Sequence, residues 1–509
     1  MIPILAVYVS LALFRIDHQS LWTDEVISAT AADPDGSFLN PQIWLRGQGP
    51  FYFVLLHLWA KLSTSDSVLR FLSVLIGCPS VLLIYALGIR LFNPRVAWIG
   101  TAMFATSPFF IWYSQEVRYI TLMITASLFS MYVFHQGLSS NRLGWWVSYF
   151  CSLILAVGAF ISNIILPVAQ WLFLLRSPSR RQVWRKVLVS QILFLALFIW
   201  WANGCQYREL GGYWEKLFRH RTTSSEKRSF SGPVKGLVTG GDREFEVGVL
   251  PYTFFALSTG FSIGPSVREL QVSRSVNLLK RYLSVLLVIG VFFCSLFVSG
   301  LVALWRRSDT GLYLILWLAI PIAGALMVSA VTAMAYNVRY VAMVLPAYIL
   351  TLAAGITRFR RPFIHISLLV AVLLVHGFSL ANYYFDPFYA REDARSAAQY
   401  LESAASPRDI ILVVGSKRGL RYYYKGQAQI VGWRGEATSD EIGATELLSE
   451  LSQGHDRLWL VLTRPWEQDP TNRVKAALDE TYDLVEHREF PGVQIYSYDL
   501  SNRSPNLRN

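Results

Sequence analysis

Charge is what this chain has least of: Asp, Glu, Lys and Arg make up only 16% of its 509 residues, against about 25% in an ordinary soluble domain. Apolar side chains take their place, with 53% hydrophobic residues, 14% aromatic residues and a mean hydropathy of +0.37. The shortage is concentrated in long apolar runs, which excludes a simple soluble globule and predicts membrane spans. Cysteine is also sparse. Of the four, Cys78, Cys151, Cys205 and Cys294, three lie inside apolar runs and none forms a CxxC pair. Neither a disulfide framework nor a zinc site is indicated. There is no internal repeat or low-complexity tract. No P-loop, Rossmann glycine fingerprint, HExxH or GxSxG turn occurs in a credible context, so nothing signals ATP hydrolysis.

The net charge of +12 would suit a nucleic-acid partner if it were gathered on one surface. Instead the basic residues form short clusters between apolar segments, such as Arg176, Arg180, Arg181, Arg185 and Lys186. That pattern orients a membrane protein and excludes nucleic acid as the partner.

The segments 1–16, 70–91, 96–113, 119–135, 145–161, 163–176, 187–203, 281–304, 312–332, 339–356 and 363–382 read as about eleven spans. The first, beginning at Ile2, has no basic leader and no small-residue cleavage site, so it reads as a span and not as a removable signal. The run Pro50–Leu62 is apolar but only about 13 residues long, short of the ~20 a bilayer needs. If it lies along the membrane surface, the loops near 88–97, 135–144, 176–186, 305–310 and 357–362 fall on one side. They hold Arg90, Arg95, Arg142, Arg306, Arg307, Arg358, Arg360 and Arg361 besides the cluster above, against the single acid Asp309. The positive-inside rule makes that side the cytoplasm. Outer loops of about 17–69 and 204–280 and a C-terminal segment of 387–509 then face outward. LPYTFFALSTGFSIGP reads as a loop dipping back into the interface. The C-terminal segment reads as a small α/β domain: ARSAAQYLESAA, 440–452 and 472–480 are helical, and DIILVVG, LWLVL and VQIYSYDL are strands.

Charged residues at the outer membrane edge are the informative ones, because charge beside hydrocarbon requires a partner or a purpose. In SLWTDEVISA, Asp24 and Glu25 stand at a loop-to-helix junction, where an acid pair can cap the helix or supply a general base. In RGQGPFYFVLLHLW, Gly47, Gly49 and Pro50 predict a bend before the short helix. In SPFFIWYSQEVRYITLM, Glu116 and Arg118 are two residues apart and poorly placed to neutralise each other, so each requires another partner. Arg70 and Arg339 stand at outer span starts. Singly they read as snorkelling side chains; with Arg118 they read as a phosphate clamp, since the guanidinium fork suits phosphate. Nucleotide donors are scarce outside the cytoplasm, so chemistry there requires a donor that arrives through the lipid.

The order of WTDE, GPFYFVLLHLW, SVLRFLS and SPFFIWYSQEVRY resembles the bacterial branch of the dolichyl-phosphate-mannose–protein mannosyltransferase superfamily, relatives of the lipid A aminoarabinose transferase. TGFSIGPSVREL, YNVRYVAMVLPAYIL and FYAREDARSAAQYLESAASPRDIILVV add to the resemblance, which covers nearly the whole chain. It implies a multi-pass α-helical membrane protein of the membrane C-type glycosyltransferase fold, spanning 1–386, with the outer α/β domain at 387–509. It also implies a polyprenyl-phosphate-linked sugar donor and an inverting transfer at the outer face of the bacterial inner membrane. By motif position Asp24 would be the base and Glu25 its acidic neighbour. Arg70, Arg118 and Arg339 would contact the donor phosphate, and Glu116 would complete the site. No cofactor is assured, and a divalent metal stays open because Asp24 and Glu25 alone do not make a metal site. Gln48-Gly49-Pro50 stands where those mannosyltransferases have His-Pro-Pro, and no β-trefoil segment is present. The acceptor is therefore left open among protein, lipid and polysaccharide. The competing reading is a transporter or flippase for a lipid-linked sugar, which predicts repeat symmetry and charges at the bilayer midplane. A non-catalytic assembly partner is a third.

Overall fold

A computed structural model of the chain describes residues 1–36, 49–176, 181–205, 248–272, 276–306, 308–331, 336–359, 361–433, 448, 450–452 and 454–503. Its contacts divide it into two compact units: residues 1–16 with 31–385, and residues 17–30 with 386–509. The segment carrying WTDE thus folds with the C-terminal region, which begins at Asp386.

The described elements of the first unit are helices. Among the described residues six helices are long and apolar enough to cross a membrane: Asp66–Leu91, Gln182–Trp201, Leu283–Trp305, Asp309–Val331, Val338–Thr357 and Pro362–Phe385. Pro94–Ala105 and Pro108–Ser114 make a seventh if counted as one span bent by 51°. The bend has a local cause, because Pro108 supplies no N–H to continue the ladder and Ser107 caps the new helix by accepting from the Phe110 amide. Every segment read as a span is helical, but Ile2–Leu13, Leu143–Ala159 and Ile161–Arg176 are shorter than a full crossing. Ile120–Ser140 is long but buries Thr121, Thr125, Ser127, Ser130 and Gln136 among its neighbours. By contrast, Leu283–Trp305 and Pro362–Phe385 leave Val288, Val291, Phe363 and Leu374 exposed. Such apolar outer faces are what lipid requires, and this is a multi-pass membrane protein.

Pro50–Ala60 is a separate short helix. The predicted bend before it is real: Gly49 has φ 101°, and a Cβ there would lie 2.0 Å from the Ala159 carbonyl oxygen, so only glycine fits. Gly47 lies outside the described residues, as do most of the 204–280 loop and of the helical stretch expected at 440–452. The segment expected to dip into the interface forms the helix Val249–Thr259 and a turn pinned between helices. Ser379 donates to the Thr259 carbonyl, and Asn382 donates to that of Ser262 at 2.9 Å.

The second unit is an α/β fold. Strands β1 (Ile410–Gly415), β2 (Gln429–Gly432), β3 (Arg457–Thr463), β4 (Tyr482–Phe490) and β5 (Val493–Arg503) form one sheet in the order β2-β1-β3-β5-β4. β1 pairs parallel to β2 and β3, while β5 is antiparallel to β3 and β4. Successive side chains of a strand face opposite sides, and both faces of β1 are covered. Ile410, Leu412 and Val414 pack with Val474 and Leu478, whereas Ile411 and Val413 pack with Ala397, Ala398 and Leu401. A strand covered on both faces reads as an unbroken apolar run, as IILVVG does.

Candidate active site

In the second unit, the helix Thr23–Ala31 begins immediately after Trp22. Glu25 stands at its third position and its carboxylate accepts from the Trp22 backbone N–H at 3.3 Å, half of a capping box. The same oxygen pairs with Arg391 Nη1 at 3.0 Å, and the two side chains are 0% and 6% exposed. Capping and ion pairing therefore account for Glu25. Its neighbour Asp24 is half-buried, with its carboxylate on a different bearing of the helix, and it lies within electrostatic reach of Arg464. Burial alone would lower the pKa of Arg464. The adjoining Glu392 carboxylate, with Glu467 and Asp24, more than reverses this and holds Arg464 above its ordinary value.

In the first unit, Arg70 is buried and donates to the Ile16 carbonyl at 2.9 Å. Gln115 donates to the carbonyls of Ala12 and Phe14, each at 2.9 Å. Together they serve carbonyls at and just beyond the end of the helix Ile2–Leu13, groups that a helix terminus leaves without intrahelical partners. Three residues along from Arg70, Ser73 donates to the Glu116 carbonyl at 2.6 Å.

The Glu116 side chain is buried and accepts from Trp112 Nε1 at 2.9 Å. Arg118 is buried and lies over the Tyr119 ring at 5.0 Å, while half-buried Arg339 lies over Tyr340 at 5.3 Å. Tyr119 stacks on Phe160 at 4.5 Å and Phe160 on Tyr340 at 6.0 Å. Arg118 and Arg339, 221 positions apart, are therefore joined through one three-ring stack. The phenol of Tyr113 lies within electrostatic reach of Glu116, Arg339, Tyr252 and Tyr119, and so gathers the same residues from another direction.

An apolar cavity of about 710 Å³ opens beside this cluster, between Val249–Thr259, the turn that follows it and Leu283–Trp305. Tyr252, Phe254, Phe261, Gly290 and Phe297 are among its lining residues. Phe261 also packs edge-on against Trp112 at 5.3 Å and Tyr113 at 6.0 Å, so the cavity wall touches the residues that hold Glu116. Among the described residues no three His, Cys, Asp or Glu side chains gather as a metal-ion site.

The sequence marked Glu116, Arg118 and Arg339, and the fold brings these three together. Arg391, Trp22, Tyr113 and the Phe160–Tyr340 pair were not marked. Of these, Arg391 carried a signal, since it sits in the FYARED run just after the last apolar segment.

The family model of dolichyl-phosphate-mannose-protein mannosyltransferase matches residues 47–203. ArnT from Cupriavidus metallidurans in the apo state has a similar fold, with a TM-score of 0.60, 12% identity, and coverage of 99% of this chain and 98% of that one. The oligosaccharyltransferase AglB from Archaeoglobus fulgidus, in complex with an inhibitory peptide and a dolichol-phosphate, matches at a TM-score of 0.51 and 11% identity. That match covers 97% of this chain and 74% of AglB. An oligosaccharyltransferase of Archaeoglobus fulgidus in complex with zinc and sulfate gives a TM-score of 0.53 at 13% identity, covering 97% of this chain and 72% of its own. No curated protein sequence matches the chain.

Proposed function

We propose that this protein is a glycosyltransferase that moves a sugar from a polyprenyl-phosphate carrier to an acceptor hydroxyl at the outer face of the bacterial inner membrane. The observation that carries the reading is the apolar cavity beside Tyr113, Glu116 and Arg339. A long isoprenoid ending in a phosphate requires such a pairing of a dry apolar volume with cations at its edge. The matched family and the AglB complex each name a dolichol-phosphate compound, which supports a carrier of that chemistry.

Asp24 acts as the base. Its carboxylate takes the proton from the acceptor hydroxyl as that oxygen attacks the anomeric carbon. The bond from the anomeric carbon to the phosphate oxygen breaks, inverting the configuration, and the carrier leaves as a polyprenyl phosphate. Arg118 and Arg339 receive the charge that grows on the phosphate. Glu116 orients the sugar or the phosphate through its bond to Trp112, and Arg70 contributes from the helix that anchors the Glu116 loop. The acceptor is a protein, lipid or polysaccharide hydroxyl. The outer α/β domain is 387–509 with the segment 17–30 folded into it, and the rest of 1–386 is the membrane domain.

Transfer from a panel of radiolabelled undecaprenyl-phosphate sugars to cell-envelope acceptors tests this, comparing the native protein with Asp24→Asn at equal expression. Label that moves only with the native protein supports the reading, and the labelled product identifies the acceptor. Equal transfer by both proteins would remove Asp24 as the base.

A further inference from the structure

The turn carrying Asp24 is held by a dense set of contacts, and the partners all come from the C-terminal region. Ser20 Oγ donates to the Glu392 carbonyl at 2.7 Å and accepts from the Ala394 amide at 3.1 Å. The Leu21 amide donates to the Tyr423 hydroxyl at 2.7 Å. The Thr23 and Ser416 hydroxyls share a hydrogen bond at 2.9 Å, and Glu25 pairs with Arg391. Arg391 and Arg464 also both lie over the Trp22 ring, at 6.0 and 5.6 Å, and Arg464 pairs with Glu392.

The place of these contacts in the sheet matters. β1 lies between β2 and β3, so the chain leaves β1 toward one side and later crosses to the other. At the carboxyl ends of such parallel strands the connections diverge and leave a crevice, where open α/β sheets seat their ligands. Here β1 ends at Gly415 and β3 at Thr463, side by side. Gly415 has φ 101°, and a Cβ on it would lie 1.7 Å from the Thr463 carbonyl, so the two strand ends close up only with glycine. Ser416, Gly419, Val461 and Thr463 line the crevice together with Leu21, Trp22 and Thr23. The chain's own N-terminal loop thus forms part of the wall at the ligand position of this sheet, and the residue that follows Thr23 is Asp24.

A plain tether would need only one such anchor, anywhere along 17–30. These anchors converge on the three residues before the helix, Ser20, Leu21 and Trp22, and on its first and third residues, Thr23 and Glu25. Glu25 satisfies Arg391 and the Trp22 amide, which leaves Asp24 as the carboxylate of the pair that is not fully buried. We infer that the C-terminal α/β unit serves the transfer reaction as the holder of the Asp24 turn, with Arg391 as its positioning residue acting through Glu25 and Trp22. This rests on the reading of Asp24 as the base.

The test uses the full-length protein in detergent, with Arg391→Met, Arg391→Lys, the double variant Glu25→Gln/Arg391→Met, and Asp24→Asn. Hydrogen exchange is followed in peptides covering 19–30 and 410–415, and transfer kinetics are measured with the undecaprenyl-phosphate sugar panel. Arg391→Met is expected to speed exchange at 20–26 by about tenfold without changing the β1 peptide. It should lower kcat about 100-fold, the cost of a misplaced reacting group, while the donor KM stays within about threefold. Arg391→Lys should recover part of kcat. The double variant removes the uncompensated buried charge and should restore protein yield, yet its kcat should stay low. Unchanged exchange in Arg391→Met, or wild-type kcat in the double variant, would overturn the positioning role. Wild-type transfer by Asp24→Asn would instead sink the assignment of the base. If the native protein transfers none of the sugars, the proposed function fails while the exchange data still decide whether Arg391 holds the turn.

Discussion

The Trp112 indole N–H donates to the Glu116 carboxylate at 2.9 Å, four residues further along the chain. The same indole packs on Phe261, a wall of the apolar cavity. Trp112 is thus a link between the volume that suits an isoprenoid and an acid of the candidate site. Trp112→Phe keeps a ring against Phe261 but removes the donor. A hydrogen bond to a charged group contributes about 1.5–3 kcal/mol, so kcat/KM for transfer is expected to fall roughly tenfold to a hundredfold. Steady-state kinetics with a radiolabelled donor measures this, and a change under about twofold would detach Glu116 from the reaction.

Arg118 and Arg339 are tied to one aromatic stack, so their positions are set together. Lysine in either place keeps the charge but loses the planar fork and its face-on contact with tyrosine. Arg118→Lys and Arg339→Lys are each expected to weaken binding of undecaprenyl phosphate about tenfold, and binding to the native protein should weaken as salt is raised. Displacement of a fluorescent lipid phosphate at two ionic strengths gives both quantities. Native-like affinity in both variants would return Arg339 to the snorkelling role that its sequence position also allows and would remove Arg118 from the phosphate clamp.

Asp409 tests the stability of the α/β unit apart from its chemistry. It is buried and accepts from Trp459 Nε1 at 2.9 Å and from the Ser406 amide and hydroxyl at 2.9 and 3.0 Å. Asp409→Ala would orphan these donors at the foot of β1 and β3, at a cost of about 2–4 kcal/mol. Pulse proteolysis of the full chain in urea should show the C-terminal region cleaved at lower denaturant, while the helical unit is protected as before. An unshifted midpoint would contradict the assigned network.

These contacts also show what the sequence could and could not reveal. The helices of the first unit were legible because lipid-facing and buried helices alike need apolar runs. That is also why the eleven expected spans exceed the six or seven described helices long and apolar enough to cross. DIILVVG was legible because β1 is covered on both faces. The edge strand β4, YDLVEHREF, was missed. Its residues alternate poorly and are mostly exposed, and its pairing comes from β5 alone. Arg118 and Arg339 could be marked as charges at helix ends. Their union through Phe160 could not be foreseen, because a phenylalanine within an apolar stretch carries no local sign of its partners. Asp24 and Glu25 read as equals in WTDE. The resemblance told them apart by motif position alone, and the fold adds a physical difference by giving Glu25 to Arg391 and the Trp22 amide.

Gly290 offers the sharpest test of the cavity. It lies in the helix Leu283–Trp305 and lines the cavity, and a Cβ placed on it would meet nothing within 4 Å. A larger side chain therefore points into open volume without disturbing the packing, and replacing glycine by phenylalanine within a helix gains roughly 0.5 kcal/mol of helix propensity. Gly290→Phe should fold as well as the native protein, as judged by size-exclusion profile and thermal unfolding. If the cavity receives the isoprenoid, the variant loses room only for donors long enough to reach it. Transfer from an undecaprenyl-phosphate sugar should fall about tenfold or more, since burying even a few methylenes is worth ~0.8 kcal/mol each. Transfer from a two-isoprene analogue of the same sugar should change little. An equal loss with both donors would mean that the side chain perturbs the reacting centre. No loss with either would place the carrier chain outside the cavity.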